Sequence, residues 1–255
     1  MTTEHELDLL ENAVDSLNEA LRKYKEGLNG DLRAYKFAII HYAHFIELLF
    51  KYYVSESHPL LIYKNPFSKK IQKENTIGLW EAIQFLKNEG KEVEPEFFKD
   101  MEWLKKLRND IEHFKFTMDV AEARRALGRL TQSVLDFNDT HAEIDIFEHI
   151  DADTFKVFEE LADEHKAALS NARREAEEES EDAEVYDCEI CWSKGTAIKI
   201  DGKYVCKLCG DEDPIVECTV CTEDYRQSEC SIWNDDHPPY VDYICGYCEE
   251  RIRNM

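Results

Sequence analysis

The chain has no cysteine before residue 188. Its long N-terminal part therefore has no thiol with which to form a disulfide or bind a metal. It also lacks any run of about 18 or more apolar residues, so no membrane-spanning helix is expected. The segment Met1 to Leu10 is polar and acidic, without the basic flank or apolar core of a secretion signal, which points to a cytoplasmic protein. Positive charge is scarce, with 31 Lys and Arg against 55 Asp and Glu and a net charge of −24. Phosphate binding is mostly electrostatic, so a nucleic acid would have to meet a local basic patch. What is present is enough apolar sequence, 43%, for a real core.

The first part of the chain reads as helical. Leu7, Leu10, Val14, Leu17 and Leu21 recur at three- and four-residue steps and predict a one-faced helix, ended by Gly27 and Gly30. The segment Leu32 to Val54 is apolar nearly all round and predicts the most buried helix. Ser55 to Asn75 contains Pro59 and Pro66 and reads as a loop, long enough to suggest a role of its own. A short helix, Thr76 to Glu89, is expected to stop at Gly90. Pro95 suits the first turn of the next helix. Asp119 is expected to cap a helix reaching about Phe137, and Asp153 to cap the last one. That last helix loses its apolar stripe after Leu169. Between Glu159 and Asp187 twelve acidic residues face three basic ones, which reads as a solvated spur or linker.

After Asp187 the pattern shifts to short β-prone runs. Ile198 to Val205 carries Asp201-Gly202 at its centre, a strong hairpin signal. Eight of the nine cysteines form pairs two residues apart: Cys188/Cys191, Cys206/Cys209, Cys218/Cys221 and Cys245/Cys248. A reducing cytosol disfavours disulfides, and two residues between thiolates let one tight turn aim both sulfurs at a single ion. Four thiolates close the coordination shell, so the expected cofactor is Zn2+, two structural ions. An iron–sulfur cluster is the minor alternative. Joining the pairs in sequence lets each hairpin close its own site, while a cross-braced joining is the competing arrangement. Cys230 is left over, either as a buried thiol or, with His237, as a substitute ligand. The last knuckle is expected to open a short C-terminal helix. The division expected is 1–155 helical domain, 156–187 acidic spur or linker, and 188–255 double zinc-binding module.

Within the helical part, Phe97, Met101, Leu104, Leu107, Ile111 and Phe114 make one core-facing stripe. Asn109 and His113, four apart, share a face roughly opposite, with Lys105 and Lys106 nearby and Arg108 at the rim. Read alone, Arg108 could simply pair with Glu112 at i,i+4. The segment Arg108-Asn109-Asp110-Ile111-Glu112-His113, together with Ala38, His44, Glu47, Leu48, Leu49 and Lys51 on an earlier helix, resembles the HEPN family and its Arg-Asn-x-x-x-His motif. The resemblance spans roughly Leu32 to Thr140 and does not reach the cysteines.

The resemblance implies an N-terminal HEPN-like helical bundle, so the expected fold is mostly α, with a small C-terminal zinc-ribbon-type β module read from the cysteine spacing. It also implies metal-independent RNA cleavage by a homodimer whose two motifs form one composite site. Arg108 would hold the scissile phosphate, His113 would move protons during attack by the ribose 2′-OH, and Asn109 would orient the histidine or the phosphate. The products would carry 2′,3′-cyclic phosphate and 5′-OH ends. Glu47 would pair with Lys51 or fix Arg108. Family members often act as toxins or in antiviral defence, which implies a regulatory or antitoxin protein as partner and the zinc module as sensor or targeting element. The competing reading is a non-catalytic dimeric adaptor whose zinc module binds protein or nucleic acid. A RING-like ubiquitin ligase would need a Cys/His alternation that four clean Cys-x-x-Cys pairs do not supply.

Overall fold

Capping chemistry sets where the helices begin in this computed structural model, which describes residues 7–91, 93, 95–113, 119–141, 146–180, 184–237 and 240–254. Helix α1 (Leu9–Leu28) starts at Asp8, whose carboxylate accepts from Glu11 N while the Glu11 side chain accepts from Asp8 N. Leu7 therefore lies before the helix and is 38% exposed, not the first member of the buried stripe. Ala13, Val14, Leu17, Leu21 and Tyr24 form that stripe. Gly27 sits inside the helix rather than ending it. A Cβ there would lie 2.7 Å from the Tyr35 ring, so the glycine serves close packing.

Helix α2 (Ala34–Ser57) is the hub of the first compact unit, Met1–His165. Tyr42, Phe45, Ile46, Leu49 and Phe50 are almost wholly buried, and each such side chain contributes roughly 1.5–3 kcal/mol relative to exposure. Its buried phenols are satisfied: Tyr42 meets Thr131 Oγ1 at 2.6 Å, and Tyr53 donates to Asn138 at 3.2 Å. The segment expected as a loop is ordered by two 3-10 turns, Pro59–Ile62 and Ile71–Lys73, and by a bridge between Tyr63 and Thr76. Helix α3 (Leu79–Asn88) begins three residues later than expected, because Gly78 N donates to the Glu81 carboxylate and fixes the start.

Helix α4 (Pro95–His113) buries Phe97, Met101, Leu104, Leu107 and Ile111, the expected stripe; Phe114 lies outside the described residues. Helix α5 (Val120–His141) is capped by Asp119, which accepts from Glu122 N at 2.8 Å, and runs one turn past Phe137. A buried carboxylate, Asp100 on α4, is held through both its oxygens by Arg129 of α5. Two donors from one planar guanidinium lock the rotation of α4, and hence where its polar face points. Helix α6 (Ala152–Glu179) begins before Asp153, which therefore lies in its first turn; the first helical bonds run back to Asp151 O.

The boundary with the second unit, Lys166–Met255, falls within α6. Along the acidic stretch Ala172 and Ala176 are buried, and Arg173 donates to Lys194 O. Strands β1 (Ala197–Ile200), β2 (Lys203–Cys206), β3 (Glu212–Glu217) and β4 (Asp224–Arg226) form an antiparallel sheet in sequential order. Asp201 and Gly202 have φ of 50° and 75°, the conformation the tight β1–β2 turn requires. Strands β5 (Cys230–His237) and β6 (Tyr240–Cys245) pair as a separate hairpin, and α7 (Gly246–Arg253) follows. The protein is thus mostly helical with a small C-terminal β region. No helix among the described residues is long and apolar enough to cross a membrane.

Candidate functional site

Three of the four knuckles are built alike. Cys188, Cys206 and Cys218 each donate their backbone N–H to the carbonyl five residues on, Ser193, Asp211 and Glu223. The residue after the second cysteine of each (Trp192, Gly210 and Thr222) has positive φ, at 61°, 76° and 60°. Only Gly210 follows the glycine preference for that conformation. The fourth pair differs: Cys245 is the N-cap of α7 and Cys248 lies in its first turn. Unpaired N–H groups at a helix start favour negative charge, so this end suits thiolates.

The knuckles converge in two sets, Cys188, Cys191, Cys206 and Cys209, then Cys218, Cys221, Cys245 and Cys248. Within each set all ligand atoms lie within 4.8 Å of one another. Sγ separations of 3.8 Å (Cys188–Cys209 and Cys191–Cys206) and 4.0 Å (Cys221–Cys245) match the roughly 3.8 Å edge of a tetrahedron with metal–sulfur bonds of about 2.3 Å. The pairs are therefore joined in sequence, not cross-braced. Backbone N–H groups of Cys191, Leu208 and Cys245 point at Cys188, Cys206 and Cys218 sulfurs from 3.4 Å, donors placed for thiolates. Hydrogen bonding among the crowded sulfurs of the first set pushes the Cys188 and Cys209 thiols up and pulls Cys191 and Cys206 down. Four thiolates this close repel strongly, and a divalent cation relieves that repulsion. Geometry and donor chemistry both fit a metal ion in each set.

Cys230 stands outside both sets. It faces Cys245 across the β5–β6 ladder and is half-buried. The His237 side chain lies outside the described residues. Arg226 ties the knuckles to the sheet, stacking 3.9 Å from the Tyr204 ring centroid and donating to Asp187 O at 2.8 Å.

Thr222 is the weak point of the third knuckle. A β-branched residue in the left-handed region costs about 1–2 kcal/mol, against the 0.5–1 kcal/mol or so by which glycine's flexibility disfavours folding. Thr222→Gly is therefore expected to raise the melting temperature of the metal-loaded protein, by up to about 1 kcal/mol of stability. A lower melting temperature would refute this account of the knuckle.

In the helical unit, Arg108 is half-exposed on α4, and one guanidinium nitrogen lies 3.7 Å from Glu47 Oε2 on α2. The other Glu47 oxygen accepts from Lys51 Nζ at 2.7 Å, and Lys51 also donates to Thr76. Glu47 thus pairs with Lys51 and also lies beside Arg108. His44 lies beside this group, 3.0 Å from Ser16 Oγ. Partial burial holds its imidazole below the ordinary value, with smaller contributions from Arg108, His41 and Lys51, and Glu47 opposes them. The motif pattern includes His44 without giving it a place near Arg108; its three-residue step to Glu47 is the available signal. Asn109 is exposed and lines a shallow depression of about 380 Å3 with Trp80, Glu102, Lys105 and Lys106. His113 ends α4, but its side chain lies outside the described residues, as does that of Glu112. No family model matches this chain, and comparison with curated proteins and with solved structures gives no match.

Proposed function

We propose that this protein is an HEPN-type endoribonuclease that works as a homodimer and carries two structural zinc ions in its cysteine module. The observation that carries the reading is the meeting of Arg108 with Glu47. It brings together in space the two segments that bear the family resemblance, one on α2 and one on α4. Arg108 holds the scissile phosphate, Asn109 orients it, and His113 moves protons as the ribose 2′-OH attacks phosphorus and the 5′-oxygen leaves. The charge on the transferring phosphate is met by the Arg108 guanidinium. The zinc ions hold the four knuckles through their eight cysteines and leave no coordination position for chemistry. The metal module serves as the sensor or targeting element, with a toxin or antiviral role and a protein regulator as the accompanying proposals.

A second reading has its own support. Ile232 is 62% and Trp233 50% exposed on β5, large apolar side chains open to a protein partner. It makes the chain a dimeric adaptor without catalysis.

The test is to incubate the full-length, metal-loaded protein with RNA in magnesium-free buffer, beside His113→Ala. Fragments with 2′,3′-cyclic phosphate ends from the parent protein, and none from the variant, are expected. Equal inactivity of both, with the dimer intact, would replace the nuclease by the adaptor.

A further inference from the structure

Residues 57–73 hold four lysines and no acid, in a chain whose net charge is −24. Lys64, Lys69, Lys70 and Lys73 are all exposed. Lys64 lies 3.5 Å from Glu81. Among the described residues no carboxylate comes within ion-pair distance of Lys69, Lys70 or Lys73. At the tip between them stands Phe67, 93% exposed, more than any other large apolar residue described. A ring so exposed loses its hydrophobic stabilisation unless something covers it.

The segment is held in shape. Asn65 accepts from Phe67 N through its side chain and from Ser68 N through its carbonyl, and Ser68 Oγ accepts from Lys70 N. Lys64 N donates to Asn75 O and Ile77 N to Ile62 O, which clamp the base of the loop. The loop leads into α3, where Trp80 sits under Lys105 Nζ, 6.0 Å from its ring centroid, at the edge of the Asn109 depression. Thr76, at the loop's end, is joined through Lys51 and Glu47 to Arg108. Trp80, Lys105 and Lys106 line the depression beside Asn109, with Glu102 among them.

We infer that this loop is a docking site for single-stranded RNA, with Phe67 stacking on a base and Lys69, Lys70 and Lys73 contacting the flanking phosphates. The inference rests on the nuclease reading for the identity of the strand. Single strands fit because their bases are free to stack, and aromatic stacking with lysine contacts tolerates any sequence. An anionic membrane fits poorly. One ring gives too little apolar insertion for stable anchoring.

The measurement is fluorescence anisotropy of a short, fully 2′-O-methylated single-stranded RNA with the full-length, metal-loaded protein. Such RNA binds but offers no 2′-OH for cleavage, so binding is read apart from catalysis. Phe67→Ala is expected to weaken binding by about 5- to 150-fold, the range seen when a stacking ring is removed. Lys69→Gln/Lys70→Gln is expected to weaken it and to flatten the dependence on salt by about 1.4 in the log–log slope. Both sites are exposed, so a circular dichroism melt should match the parent protein. Loss of binding in these variants, with unmodified RNA left uncut by every form, would keep the docking site and remove the nuclease. Undiminished affinity in both variants would overturn the docking site even if cleavage is found. So would equal binding to the matching duplex, or a loop-dependent preference for polyglutamate or phosphatidylserine vesicles over RNA.

Discussion

Chelation of the purified protein is expected to release two equivalents of zinc per chain and to unfold the second unit while the far-UV helical signal of the first persists. The second unit has little to hold it otherwise. Its buried clusters consist largely of the cysteines themselves, with Ile244 in one and Ala197 in the other. Four-stranded and two-stranded sheets this short bury too little apolar surface to stand alone. Structural zinc contributes on the order of 10 kcal/mol or more in such sites, well beyond what the remaining packing can replace. The helical unit has an apolar core running from Ala13 to Leu161 and no cysteine. Cys206→Ser and Cys218→Ser are each expected to lower the bound metal from two equivalents to one by elemental analysis. Acid should act like the chelator, because protons compete with the metal for thiolates. Two equivalents retained in either variant would show that the sets of four are not the binding sites.

Much of this was readable from spacing alone, and the reason differs by region. The stripe Phe97, Met101, Leu104, Leu107 and Ile111 shows in the sequence because large apolar residues repeat at the helical period. The Cys-x-x-Cys pairs show because metal geometry demands that spacing. What escapes notice depends on small residues or on contacts distant in sequence. Gly27 reads as a helix stop, yet it is there for the Tyr35 ring. Ala172 and Ala176 are buried in a stretch that reads as a solvated spur, since alanine adds too little hydrophobicity to mark a face. The choice between sequential and cross-braced joining depends on how β3 leads from Cys209 to Cys218, which no local pattern reports. The link from Glu47 to Arg108 spans sixty-one positions and appears only once α2 and α4 pack together.

That link also sets apart the largest effect expected in the helical unit. Arg108→Ala is expected to lower kcat for RNA cleavage by about a thousandfold, the scale for losing one preorganised charge at a transferring phosphate. Arg108→Lys is expected to recover little, because an ammonium cannot offer two parallel donors to a phosphate. The salt bridge gives the control. At 3.7 Å and half-exposed, the Arg108–Glu47 pair adds at most about 1 kcal/mol to stability, so loss of that pair by itself should shift the melting temperature by no more than a few degrees. Glu47→Gln keeps the side chain's size but removes the charge that orients both Arg108 and Lys51. A positioning role predicts an intermediate loss of kcat with a smaller change in KM, whereas a purely structural role predicts a lowered melting temperature and unchanged kcat. If Arg108→Ala cuts RNA as fast as the parent protein, the guanidinium does not touch the phosphate, and its contact with Glu47 has some other use.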